Sequence, residues 1–128
     1  MAVEGPGITI TVSTPGQTSL ELLLDILQEL RTAGAEAIEV NDSIRVVAQT
    51  ALDVSSAGVV IDGTTISGEL RIEAIGDPRT LREGVTFSRG PQERVEEAGG
   101  RFDVVEQDLV EIGTVRTLEE PEFAAPAN

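Results

Sequence analysis

The stretch from Leu20 to Leu30 constrains the fold most. Leu20, Leu23, Leu24, Leu27 and Leu30 recur at helical spacing, and Leu22 and Ile26 widen the stripe. Glu21, Asp25, Gln28, Glu29 and Arg31 lie mainly off it. A helix with an apolar stripe this wide needs a flat apolar surface to cover, and the stripe is too short and too wide for a coiled-coil seam. Thr18 and Glu21 have the spacing of a capping box at its start. Gly34 supplies a stop suited to the left-handed conformation. The helix is flanked by Ile8-Thr9-Ile10-Thr11-Val12, which alternates apolar residues with Thr, and by Ala37-Ile38-Glu39-Val40. Alternation with period two marks a strand with one buried face, so the order is strand, helix, strand, a crossover between parallel strands.

The rest of the chain repeats that theme around a hairpin. Gly5-Pro6-Gly7 reads as a turn before the first strand, and Asn41-Asp42-Ser43 as a turn after the second. Ile44 to Ala48 reads as a further strand. Val59-Val60-Ile61 and Thr64-Thr65-Ile66 flank Asp62-Gly63, a hairpin signal. Leu70 to Ile75 alternates strictly. Gly76-Asp77-Pro78 then opens a short helix over residues 79–85, with Asp77 as N-cap and Pro78 at the first helical position. Pro91 to Ala98 reads as another helix, stopped by Gly99-Gly100. Phe102 to Val105 is a strand, and Leu109 to Val115 extends the sheet. The expected fold is one α+β domain over residues 1–118, a mixed sheet with helices packed on one face in a ferredoxin-like β-α-β, hairpin, β-α-β arrangement. Residues 119–128, rich in Pro, Ala and Glu, read as a flexible tail.

The side-chain inventory limits the chemistry. The chain of 128 residues contains no His, Cys, Lys, Tyr or Trp, and only Phe87, Phe102 and Phe123 are aromatic. The usual neutral-pH general base, the thiolate and the Schiff-base amine are therefore absent, as are His or Cys ligands for zinc. No cofactor is expected. Carboxylates remain, and Glu36, Glu39, Asp42, Asp53, Asp62, Glu73 and Asp77 are the candidates for a paired-carboxylate hydrolase. The calcium-loop pattern does not occur, so no metal site is expected. A net charge of −14, with nine Arg as the only cations, repels phosphate backbones and argues against nucleic acid as a partner. No run of 18 apolar residues is present, so this segment does not insert into a membrane.

Gly5-Pro6-Gly7 with the first strand, LQELRTAGAEAIEVN (Leu27–Asn41), Ile61-Asp62-Gly63, AIGDPRT (Ala74–Thr80) with Leu81, and VRTLEEPEFAAP (Val115–Pro126) together resemble domain-of-unknown-function family 881. This is also uncharacterised protein family 0749, the YlxW/YlxX-like proteins labelled "division initiation", of actinobacterial type. The resemblance runs from about residue 3 to 126. It implies a domain carried outside the cytoplasmic membrane by an upstream anchor, with a coiled-coil segment between them. It also implies an association with cell division and the envelope, and no enzyme activity. Asn41, Arg45, Gly76 and Asp77 match family-like positions and are the interaction candidates. Where the family often has Pro-Pro-Tyr, this chain has Ser67-Gly68-Glu69-Leu70, and it shows neither anchor nor coiled coil.

The expected function is a non-catalytic interaction domain with a protein partner in the division or cell-wall machinery, on the outer face of the cell membrane. If the chain is complete as given, the expected location is the cytoplasm. Two alternatives stand beside it. One is a small-ligand-binding or carboxylate-based hydrolytic domain, with Asp42 and Asp77 converging on a pocket. The other is a homo-oligomeric scaffold that pairs sheet edges through Ile8–Val12 or Phe102–Val105.

Overall fold

The computed structural model describes the backbone of residues 3–15, 20–41, 44–46, 52–55, 58–61, 64–66 and 69–113. Eight strands and three helices follow in the order β1 (Val3–Ser13), α1 (Leu20–Thr32), β2 (Ala37–Val40), β3 (Ile44–Val46), β4 (Leu52–Ser55), β5 (Gly58–Ile61), β6 (Thr64–Ile66), β7 (Leu70–Ile75), α2 (Pro78–Thr86), α3 (Pro91–Glu97) and β8 (Arg101–Ile112). The main sheet has the order β3-β2-β7-β1-β8, and β4-β5-β6 form a separate three-stranded sheet.

The β8-β1-β7-β2 core has the split β-α-β topology expected. One detail differs. The sheet is antiparallel at every pairing, not mixed. β1 and β2 do run in the same direction, but β7 lies between them and bonds to both. The crossover skips one position in the sheet, so the parallel strands never touch. The predicted hairpin is present as the antiparallel pair β5 and β6, with Ile61 opposite Thr64. Asp62 and Gly63 themselves lie outside the described residues, as do Thr18, Asp42, Ser43 and the whole tail.

Alternation along the strands sends Ile8, Ile10, Val12, Ile38, Val40, Leu70, Ile72, Ala74 and Phe102 to the helix-covered face, where all are buried with Leu23, Ile26, Leu27 and Leu30 of α1. Each fully buried aliphatic side chain contributes roughly 1.5–3 kcal/mol, so this aliphatic layer replaces the aromatic core that the composition denies. The stripe of α1 is rotated from the expected one. Leu23, Ile26, Leu27 and Leu30 face inward, while Leu24 is 43% exposed. A helix on a flat sheet needs only its middle arc covered, and Leu24 falls on the shoulder.

Two helices end in the same device. Gly34 has φ 94° and donates its N–H to the Arg31 carbonyl, while Ala35 N–H reaches back to Leu30. Gly99 has φ 87° and donates to Glu96, while Gly100 N–H reaches Val95. Both are Schellman caps, where a residue with a Cβ would be strained.

The Gly5-Pro6-Gly7 turn is not a turn. It lies inside β1, which begins at Val3. Gly5 opposes Val110 and Gly7 opposes Gln107, so β8 carries an extra residue beside Pro6. A bulge is one of the few places in a sheet where proline's missing N–H is tolerated. The two predicted pieces of the last strand are likewise one continuous strand, bent at this bulge, with residues 114 and 115 outside the described ones. Beyond Gly7, β1 pairs only with β8. That two-stranded ribbon curls over the helix-free face, so that Val110 and Ile112 pack with Val3 on Ala37 and Ile75 in a second small core.

Candidate interaction surface

Of the four residues singled out in the sequence, Asn41 lies at one end of β7, Gly76 and Asp77 follow the other end, and Arg45 lies two strands away in β3. Asn41 ends β2 in the left-handed region, φ 53°. Its Oδ1 accepts from Arg71 N–H at 2.8 Å, and its own N–H donates to the Arg71 carbonyl at 2.7 Å. Arg45 lies in β3 opposite Glu39. Gly76 sits at the far end, where its N–H donates to the Pro6 carbonyl at 2.8 Å. A Cβ there would lie 3.1 Å from the Leu81 side chain. Asp77 caps α2 as expected, accepting from Thr80 N–H at 2.9 Å and from Thr80 Oγ1 at 2.6 Å. These hydrogen bonds, aided by the Arg79 charge, hold the Asp77 carboxyl below its ordinary value of 3.8. At about 3.4 Å per residue, the five steps from Arg71 to Gly76 put roughly 17 Å between Asn41 and Asp77. Asn41 and Asp77 therefore lie far apart, and Asp42, the residue expected to converge with Asp77 on a pocket, lies outside the described residues. Asp77 spends its acceptor capacity on its own helix.

The carboxylates the fold does bring together are Glu39 and Glu73, neighbours in register on the helix-free face. Thr9 continues the row on β1, opposite Glu73. All three are buried. Arg71 approaches Glu73 at 3.6 Å, and Thr9 Oγ1 bonds Gln107 Oε1 at 2.9 Å. Alternation in β2 and β7 placed both acids on one face, but only the register set them side by side. A hollow of about 120 Å³ on the same face is lined by Thr11, Ser13, Glu69, Arg101 and Asp103, below the roughly 300–1,000 Å³ of ligand sites. Among the described residues no group of His, Cys, Asp or Glu has the arrangement of a metal site.

The feature that sequence reasoning saw only in part is the outer edge of β8. β8 is the last strand of the main sheet, while β1 is interior, paired on both sides. The expectation that Ile8–Val12 offers an edge therefore falls, whereas Phe102–Val105 lies in an end strand of the sheet. Which main-chain groups point outward follows from the hydrogen bonds at the ends of β7. Arg71 exchanges bonds with Asn41, so it faces β2; Gly76 N–H goes to Pro6, so it faces β1. Antiparallel ladders alternate, so Leu70, Ile72 and Ala74 bond Val12, Ile10 and Ile8. Thr9, Thr11 and Ser13 then turn to β8, where they meet Val105, Asp103 and Arg101. The N–H and C=O groups of Phe102, Val104 and Glu106 are left pointing away from the sheet. In accord with this, the Phe102 carbonyl accepts from Gln92 Nε2 of α3 at 3.2 Å. Among the described residues no strand covers the edge beyond it. Val105 and Leu109 are each 53% exposed along this strand. Glu106 is held by Arg82 of α2 at 3.1 Å.

The comparisons place this fold among known proteins. The model of the family described as "Bacterial protein of unknown function (DUF881)" matches residues 1–125. The chain belongs to this family. It is 36% identical over 126 residues to UPF0749 protein Rv1825 of Mycobacterium tuberculosis, across 95% of this chain and 43% of that one. It is 26% identical to UPF0749 protein Rv1823 of the same species, across 69% of this chain and 34% of the relative. The chain thus spans less than half the length of these curated relatives. The crystal structure of an uncharacterized conserved protein from Mycobacterium tuberculosis superposes with a TM-score of 0.86 at 34% identity, covering 99% of this chain and 92% of that one. The DUF881 domain is therefore a single α+β unit whose relatives carry no named activity. Among the described residues, no helix is long and apolar enough to cross a membrane.

Proposed function

We propose that this DUF881 domain is a non-catalytic protein-interaction module. In the parent protein it would be held at the outer face of the cytoplasmic membrane by an upstream anchor, where it engages the division or cell-wall machinery. The observation that carries the interaction reading is the outer edge of β8: outward main-chain groups at Val104 and Glu106, with exposed Val105 beside them. A sheet edge of this kind is a template for a further strand. The curated relatives extend well beyond the matched region, which leaves room for an anchor, and the family resemblance supports the envelope setting. The test is to express the parent protein with a photo-crosslinking amino acid at Val105 and to fractionate the cells. A crosslink to an envelope or division protein in the membrane fraction is expected. Recovery of the parent protein in the soluble fraction with no crosslinked envelope protein would overturn the reading.

A further inference from the structure

We infer that the outer edge of β8, which no strand among the described residues covers, accepts an extended, basic segment of a partner protein as an additional antiparallel strand. This rests on the interaction reading above and names the chemistry of the partner. The outward hydrogen-bonding groups begin at Val104, since Gln92 already occupies the Phe102 carbonyl. They run to the bulge beside Pro6, where the strand bends away. A partner strand is therefore limited to the straight stretch before the bulge. Along β8 a single cation, Arg101, stands against Asp103, Glu106, Asp108 and Glu111. Asp103, Glu106 and Asp108 are exposed, and they alternate with or flank exposed Val105. Asp103 shares the helix-free face with Val105, and Arg101 approaches it at 3.5 Å; Glu106 lies on the other face against Arg82 at 3.1 Å. Both pairs are exposed and the strand keeps more acids than cations, so an added strand is favoured when it sets Arg or Lys opposite Asp103 and Glu106 and an apolar residue opposite Val105.

A second copy of the chain is the natural rival for the edge, and charge opposes it. Each copy carries a net charge of −14, and two acidic β8 strands side by side would set carboxylate near carboxylate. Like charges opposite each other destabilise a strand pair. The same acids thus exclude copies of the chain and admit a basic strand, which is selection by repulsion as well as attraction.

The test uses the 128-residue chain, isotope-labelled, and a synthetic peptide of roughly eight residues, a usual strand length, with Val placed opposite Val105 and Arg opposite Asp103 and Glu106. Titration should shift the amides of Val104 and Glu106 and slow their exchange, leaving α1 unchanged. N-methylating the alternate peptide residues that bond to β8 should weaken binding about tenfold or more, whereas methylating the other set should not, because only one set faces the edge. Replacing Arg by Glu in the peptide should abolish binding. Glu106→Ala, which removes one carboxylate, should weaken binding, and Glu106→Pro, which also removes an outward N–H, should weaken it further. Since the peptide variants leave the protein intact, they decide the matter even if Glu106→Pro does not fold. Binding insensitive to N-methylation would mean diffuse attraction to an acidic surface and would overturn the inference. So would a dimer formed through β8 without peptide. If the peptide fails while the parent protein still crosslinks to an envelope protein, the basic-strand inference falls and the module reading stands. If the peptide binds and no crosslink forms in cells, the edge takes a basic strand and the envelope setting of the proposed function falls.

Discussion

Gly7→Ala is the most informative single substitution for the fold. Gly7 is the last β1 residue paired with β7, and it borders the bulge from which the β1–β8 ribbon bends. A Cβ built on Gly7 would lie 1.9 Å from the Ala74 carbonyl oxygen and 3.0 Å from the Ile75 Cα. Both are backbone atoms, so no rotamer change relieves the contact. To bring the first distance to 3.0 Å the strands must separate locally by at least 1.1 Å. That movement strains the Gly76 to Pro6 hydrogen bond and lifts Ile75 from Val110 and Ile112. Overpacking in a well-filled interior costs about 1–3 kcal/mol, and a collision with backbone belongs at or above the top of that range. At roughly 3–4 °C per kcal/mol for a domain of this size, the midpoint should fall by about 10 °C. Thermal denaturation followed by circular dichroism measures it. Two controls set the scale. Gly113→Ala meets nothing within 4 Å and should be close to neutral. Gly34→Ala also meets nothing but sits at φ 94°, so it should cost about 1–2 kcal/mol through backbone strain alone. If Gly7→Ala melts within about 2 °C of the wild type, the close approach of β1 to β7 is not as described and the account of the ribbon fails.

Other expectations follow from the same geometry. Leu23→Ala should cost about 3 kcal/mol, within the usual range for a buried Leu, while Leu24→Ala, on the exposed shoulder, should cost under about 1 kcal/mol; urea denaturation compares them. Ile112→Ala should speed amide exchange in Val3 and Glu4 while leaving the α1 core protected, because Ile112 belongs to the small second cluster; equal loss of protection throughout would mean the ribbon is not a separate unit. Asp77 is held below its ordinary value chiefly by Thr80. Its stabilising effect is therefore fully present above that value and is lost as pH falls through the lowered one. Asp77→Asn should flatten the pH dependence of stability between about pH 5 and pH 2, read from urea midpoints across that range, and an unchanged slope would refute the capping assignment.

Much of the framework was written in local pattern. The period of Leu23, Leu27 and Leu30 made α1 a helix, the alternation in Ile8–Val12 and Leu70–Ile75 made strands, and Gly34 and Gly99 ended helices, because φ/ψ preference and periodicity act over a few residues. Asp77-Pro78 announced its helix start for the same reason. The strand β4 was missed, since the four residues Leu52–Ser55 carry only one and a half cycles of alternation. The candidate positions Asn41 and Asp77 were legible as special backbone sites, and each is one. No local signal could say that they stand at opposite ends of β7.

The sequence by itself determined a small acidic α+β domain, an aliphatic core and a chemistry without His, Cys or Lys, because these follow from composition and short-range period. The tertiary structure alone decided that β7 separates β1 from β2, that Gly5-Pro6-Gly7 lies in a bulged strand rather than a turn, and that Glu39 meets Glu73. It also decided that β1 is interior and that β8, like β3, is an edge. The physical reason is that pairing joins residues such as Ile10 and Ile72 far apart in the chain, and which strand finds which depends on how the whole apolar surface is best covered. An edge exists only where that process stops, and among the described strands of the main sheet it stops at β3 and β8.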